Sequence, residues 1–152
     1  MTPEQNLARL GLTLPAPRTP QFNYVPWKIA GEMLYLSGQT PVFPDGTSPK
    51  GKVGRDFTVE EAYGHARMIG LGLLAAAKAA AGSLDRLEVI KLLGMVNAVP
   101  DFGDQPKVIN GCSDLLVEVL GERGRHARSA VGFGSLPNGT TVEIEAIMRI
   151  HA

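Results

Sequence analysis

Apolar and polar residues alternate along this chain with two different periods. Val59, Ala62, Ala66, Ile69, Leu73, Ala76 and Ala80 recur at steps of three and four, which is one stripe of an amphipathic helix. Thr58 followed by Glu61 is a capping box at its start, and Gly82 is its stop signal after about residue 81. Val108, Cys112, Leu115 and Val119 form a second stripe, capped by Asp104 or Gln105, with Pro106 in the first turn and Gly121 at the end. A short helix is expected over residues 3–11, with Leu7 and Leu10 on one side, before Pro15, Pro17 and Pro20 interrupt regular structure.

The other period is two. Residues 23–30 and 33–37 read as paired strands turning at Gly31. Residues 87–99 form the next strand, with Ile90, Leu92, Val96 and Ala98 on one face. In the last strand, over 141–150, Val142, Ile144, Ala146, Met148 and Ile150 alternate with Glu143, Glu145, Ile147 and Arg149. A strand over 127–136 precedes it, and Pro137-Asn138-Gly139-Thr140 predicts a hairpin joining the two, because Asn-Gly suits the tight turn. Residues 43–56, with Pro44, Gly46, Pro49, Gly51 and Gly54, read as a loop. The order ββ-α-β-α-ββ defines an α+β fold, two helices packed on one face of a mixed sheet.

At 152 residues, 44% of them apolar, the chain fits a single domain, 1–152, with its own core. Lys and Arg number 15 and so do Asp and Glu, giving zero net charge, which argues against a dedicated nucleic-acid binder. One cysteine excludes an intrachain disulfide. No apolar run approaches the ~20 residues of a membrane span, and no signal peptide is visible, so a cytoplasmic protein is expected. The phosphate-binding glycine motifs and the serine nucleophile elbow are absent. His65, His126 and His151 lack metal-ligand spacing, so no metal is expected. Cys112, on an apolar helix stripe, reads as a buried inert thiol.

Two residues of the C-terminal strands could carry chemistry. Arg128 shares a strand face with His126, Ala130 and Gly132, which leaves room for a carboxylate against its fork. A surface arginine or a structural ion pair is the plainer alternative. Glu143 lies on the polar face of the last strand. The predicted hairpin register sets Glu143 opposite Gly134, six residues from Arg128, or about 20 Å. If both serve one site, they come from different subunits.

Ala127-Arg128-Ser129-Ala130-Val131, Leu136-Pro137 and Val142-Glu143-Ile144-Glu145-Ala146-Ile147 together resemble the signature of the RidA/YjgF family. Leu36-Ser37-Gly38-Gln39-Thr40-Pro41 resembles its second hallmark, Tyr24 falls at its pocket tyrosine, and Asp101-Phe102 with Val108-Ile109-Asn110 resembles its asparagine segment. The resemblance covers about residues 22–150 and marks a divergent subgroup. His126 stands where a proline is usual and is expected to be a surface histidine; Ala130 replaces a common cysteine. The N-terminal 20 residues and the 44–57 loop look longer.

The resemblance implies a chorismate-mutase-like fold and a homotrimer with a barrel core and sites between subunits. It further implies hydrolytic deamination of reactive enamines and imines of the 2-aminoacrylate type to 2-keto acids and ammonia, without metal or cofactor. Arg128 would clamp the substrate carboxylate, Glu143 would activate water, and Tyr24 would help place it. Ser37, Gly38, Asn110 and Ala130 would line the pocket. Two alternatives remain: an endoribonuclease or translation inhibitor, which the neutral charge disfavours, and a trimer that binds small carboxylate ligands without turnover.

Overall fold

The computed structural model describes residues 1–152. In chain order the elements are α1 (Pro3–Arg9), β1 (Trp27–Ala30), β2 (Met33–Gln39), α2 (Val59–Ala81), β3 (Leu87–Asn97), α3 (Gln105–Leu120), β4 (Ala127–Phe133) and β5 (Val142–Ile150). The strands form one sheet in the order β1-β2-β5-β3-β4, antiparallel except for the parallel β3–β4 pair.

Helix α2 starts where the capping box predicts. Thr58 Oγ1 accepts from the Glu61 amide and Glu61 Oε1 from the Thr58 amide, each at 3.1 Å. Its small-residue stripe lies on the sheet beside α3, and the helices come close at Gly111. A side-chain carbon there would stand 2.0 Å from the Tyr63 carbonyl oxygen. Tyr63 Oη donates to Asp114 at 2.7 Å and Arg67 pairs with Glu118 at 2.9 Å across the same seam. Leu34, Leu36, Leu92, Val96, Val142, Ile144 and Met148 meet the buried faces of α2 and α3 in one core. No helix is long and apolar enough to cross a membrane.

Four expectations need correction. The helical layer holds three helices, not two, because the short helix expected over residues 3–11 forms and joins it. The third, α1, packs on the helical layer, where Asn6 Nδ2 donates to the Val119 carbonyl at 3.0 Å and Glu4 faces Lys78 at 3.6 Å. The first strand begins only at Trp27. In β3 the register against β5 shifts between Val89 and Lys91. That bulge turns Ile90 out to 37% exposure, while Val89, Leu92 and Val96 face the core.

The fourth correction matters most for the site. Strands β4 and β5 do not pair; β3 lies between them. The Asn-Gly turn does form, with φ of +57° at Asn138 and +68° at Gly139. It serves instead to carry the chain past the end of β3. There the Asn97 amide donates to the Thr141 carbonyl at 2.8 Å and the Ala98 amide to Phe133 at 3.3 Å. The strand-helix-strand run β3-α3-β4 settled the topology: a helical crossover brings the second strand back parallel and adjacent to the first. The 43–56 loop is stitched over the same end, with the Val53 amide donating to the Asn97 carbonyl at 2.9 Å.

Candidate functional site

The register separates the two candidate catalytic residues in a way the hairpin did not anticipate. Arg128 lies opposite Leu92, on the face covered by helices; Glu143 lies opposite Met95, on the open face. Three residues along β3 and two strand spacings separate them, roughly 10 Å in each direction. One chain therefore presents two distinct places, each a candidate half-site.

The first half-site is a cleft of about 800 Å³ at the end of β2. Tyr24, Ser37, Gly38 and Glu143 all line it. Strand β2 slips register against β5 between Leu36 and Gln39, and this bulge opens the space. Ser37 Oγ donates to the Val25 carbonyl at 2.6 Å, which ties the Tyr24 segment to β2. Gly38 is dictated by Glu143: a side-chain carbon at Gly38 would sit 2.6 Å from Glu143 Oε2. The carboxyl lies over bare backbone, with no cation paired to it among the ion pairs of the molecule. Burial, and to a lesser degree the neighbouring Glu145 charge, holds Glu143 above the usual carboxylate range. The shift favours the protonated form relative to an ordinary carboxylate, as suits a group that exchanges protons.

The second half-site is built on α3 and β4. Arg128 Nη1 donates to Ser113 Oγ at 3.0 Å and Nη2 to the Pro106 carbonyl at 3.2 Å. Pro106, Asn110 and Ser113 follow at helical spacing, so Asn110 stands between the two anchors on one face of α3. Ala130, two residues on from Arg128 in β4, shares its face and is half-buried against the core.

His126 was missed as a member of this group. It is half-buried rather than a plain surface residue. Its Nδ1 lies 2.6 Å from the Gly124 carbonyl oxygen, and its Nε2 lies 2.8 Å from Ser113 Oγ. A carbonyl only accepts, so Nδ1 carries the proton and, in the neutral ring, Nε2 accepts from the Ser113 hydroxyl. The serine lone pairs are thereby turned toward Arg128. Burial, with the nearby Arg128 charge, pushes the His126 pKa down and keeps the ring neutral. The shared strand face of His126 and Arg128 was the available signal; Ser113 had none. Cys112, beside Ser113, is fully buried with its thiol pushed up to about 12, as suits an inert core residue.

His65, also buried, meets Thr141 Oγ1 at 2.9 Å between the rings of Phe43 and Phe57, and so serves the core. No three His, Cys, Asp or Glu side chains gather as a metal site would require.

This fold has known counterparts. Residues 4–142 match the family model described as "YjgF/chorismate_mutase-like, putative endoribonuclease". The chain belongs to this family. It is 48% identical to protein Atu1372 of Agrobacterium tumefaciens, "with unknown function", with a TM-score of 0.88 over 98% of this chain and 94% of that one. A structure from Shewanella oneidensis, described as "a putative endoribonuclease", is 34% identical with a TM-score of 0.94 over 99% of this chain and 100% of that one. RidA from an Antarctic Psychrobacter is 29% identical, with a TM-score of 0.61 over 89% of this chain and 94% of that one. The chain thus follows the first two structures almost end to end and RidA less fully.

Proposed function

We propose that this protein hydrolyses reactive enamines and imines of 2-amino acids to 2-keto acids and ammonia, at sites assembled between copies of a homotrimer. One observation carries the reading. A guanidinium anchored by two helix groups and an unpaired, proton-loving carboxyl stand on opposite faces of one sheet. Neither half is a site alone, and a neighbouring copy can bring the missing half. The open face supports such packing, since Tyr35, Val131 and Phe133 are 45%, 37% and 42% exposed on it.

In this reading Arg128 takes the substrate carboxylate on its outward N–H groups. The enamine first becomes the imine by taking a proton at its terminal carbon. Glu143 then accepts a proton from water as the water oxygen bonds to the imine carbon, and the C=N π pair moves to nitrogen. Glu143 returns that proton to nitrogen, giving the carbinolamine; it then takes the hydroxyl proton and passes it to the amino nitrogen as the C–N bond breaks and the C=O bond forms, and ammonia leaves. Tyr24 and Ser37 orient the water, Gly38 admits the substrate, and Asn110 and Ala130 bound the Arg128 side. The imine is already electrophilic, so orientation and a placed water suffice. Cleavage of RNA finds less support: with 15 cationic and 15 anionic side chains, the chain has no net charge to steer phosphate.

The test is a coupled assay in which a pyridoxal-phosphate lyase releases 2-aminoacrylate and pyruvate formation is followed. Wild type should accelerate pyruvate release, and Arg128→Ala of matched assembly should not. No acceleration with several imino acids, from a folded oligomer that still binds keto acids, would leave a ligand-binding protein without turnover.

A further inference from the structure

The Glu143 cleft contains a guanidinium of its own, which the reaction above does not use. Arg18 lines the same space as Tyr24, Ser37, Gly38 and Glu143. It arrives there on the N-terminal segment between α1 and β1, whose course is restricted by Pro15, Pro17 and Pro20. Leu10, Leu12 and Leu14 fasten the preceding stretch to the core. Arg18 Nη2 donates to the Thr40 carbonyl at 2.7 Å, two residues beyond Gly38, which fixes the fork at the cleft wall. The guanidinium has no acidic partner among the molecule's ion pairs, whereas Arg55, Arg67, Arg125 and Arg149 each pair with a carboxylate. Partial burial lowers its pKa, opposed by nearby Tyr24, so the charge is held partly out of water without a counterion.

We propose that Arg18 is an anion subsite for a second carboxylate, so that the substrates this protein prefers are imino acids of dicarboxylic amino acids. The inference rests on the deaminase reading for its reaction but not for its binding. Arg128 from one copy would hold the carboxylate beside the reacting carbon, while Arg18, from the copy that supplies Glu143, would hold the one at the far end of the side chain. With one edge of the Arg18 fork committed to Thr40, the other suits a planar carboxylate taken by two parallel N–H groups. A cleft of about 800 Å³ lies in the range of pockets for much larger ligands than a three-carbon acid, so a longer substrate fits.

Two measurements test this. The first is calorimetric binding of 2-oxoglutarate, a stable product-like dicarboxylate, beside 2-oxobutyrate as the monocarboxylate. Wild type should favour 2-oxoglutarate by at least ten-fold. Arg18→Ala should reduce that preference by at least three-fold, and Arg18→Lys should restore part of it. A wild-type preference below three-fold, or one that Arg18→Ala leaves within three-fold of wild type, overturns the proposal whether or not the protein turns anything over. The second measurement uses imino acids generated by amino-acid oxidases from glutamate and from 2-aminobutyrate. The ratio of kcat/KM for the two should fall about ten-fold in Arg18→Ala; a fall of less than three-fold overturns the proposal. If neither imino acid is hydrolysed by wild type, the deaminase reading fails while the binding result still decides the subsite.

Discussion

The two half-sites are built on different physical plans. Around Arg128 the polar groups are committed: Ser113 Oγ and the Pro106 carbonyl accept its hydrogen bonds, His126 orients Ser113, and the Gly124 carbonyl orients His126. Around Glu143 little is committed: its carboxyl rests over Gly38 and is held by no cation. The difference suits the two tasks proposed for them. A group that grips a carboxylate gains from being fixed before the ligand arrives, since ordering is then not charged to binding. A group that takes up and returns a proton gains from a pKa raised toward neutrality, which pairing with a cation would undo.

The largest effect would come from separating the halves between chains. Arg128→Ala and Glu143→Gln should each be inactive as homo-oligomers. Subunits of the two kinds, unfolded together and reassembled at equal ratio, should regain activity. In a cyclic assembly where each site takes Arg128 from one copy and Glu143 from the next, about one site in four then combines two intact halves. Recovery near that level in the keto-acid assay fits sites between copies. No recovery from mixed oligomers, verified by mass, would mean that each chain closes its own site and that the comparison has been drawn wrongly.

The sequence made the two half-sites legible as residues but not as places. Local signals held: the Thr58–Glu61 capping box, the Gly82 stop and the alternation along β5 all describe contacts within a few residues. The Asn138-Gly139 turn held as well, with both residues in the left-handed region. What failed was the inference from a local turn to a long-range pairing. Strand β5 pairs with β2 and β3, whose apolar residues share its buried face, and no signal within residues 134–141 encodes that choice. The expectation that Arg128 and Glu143 cannot meet within one chain therefore rests on different geometry, opposite sheet faces rather than distance along a hairpin. Ser113 and Arg18 were invisible for a related reason: each acts through a tertiary neighbour, Arg128 or the Thr40 carbonyl, and neither carries a spacing of its own.

A smaller effect should sharpen the view of the committed half. Ser113→Ala removes one bond to a charged group, worth roughly 1.5–3 kcal/mol, and should raise KM about ten-fold or more with little change in kcat. His126 adds a pH signature. Acid puts a proton on Nε2, so the ring must donate to Ser113 where it accepted, and a second cation then faces Arg128. KM should therefore rise as pH falls below 6.5 toward the depressed His126 pKa, and His126→Gln should flatten that limb. An unchanged profile in His126→Gln would reduce the histidine to packing. The same depressed pKa contributes stability that is present above pH 6.5 and lost as pH falls from there.

The smallest effect belongs to the uncommitted half, and its sign is opposite to that of an ordinary loss of function. The folded state holds Glu143 above its usual carboxylate range, so folding favours the protonated acid. The penalty is absent well below the ordinary value of 4.5, grows as pH rises through it, and is complete above the raised folded value. Glu143→Gln should therefore melt higher than wild type at pH 7, by about 1–2 °C because the side chain is only half-buried and water still screens its charge. The gap should close at pH 3.5, where wild type is neutral too. An inactive but more stable variant at pH 7 would identify Glu143 as a residue kept for chemistry at the expense of the fold. Equal or lower melting at pH 7 would mean that a favourable partner for the carboxylate outweighs its burial.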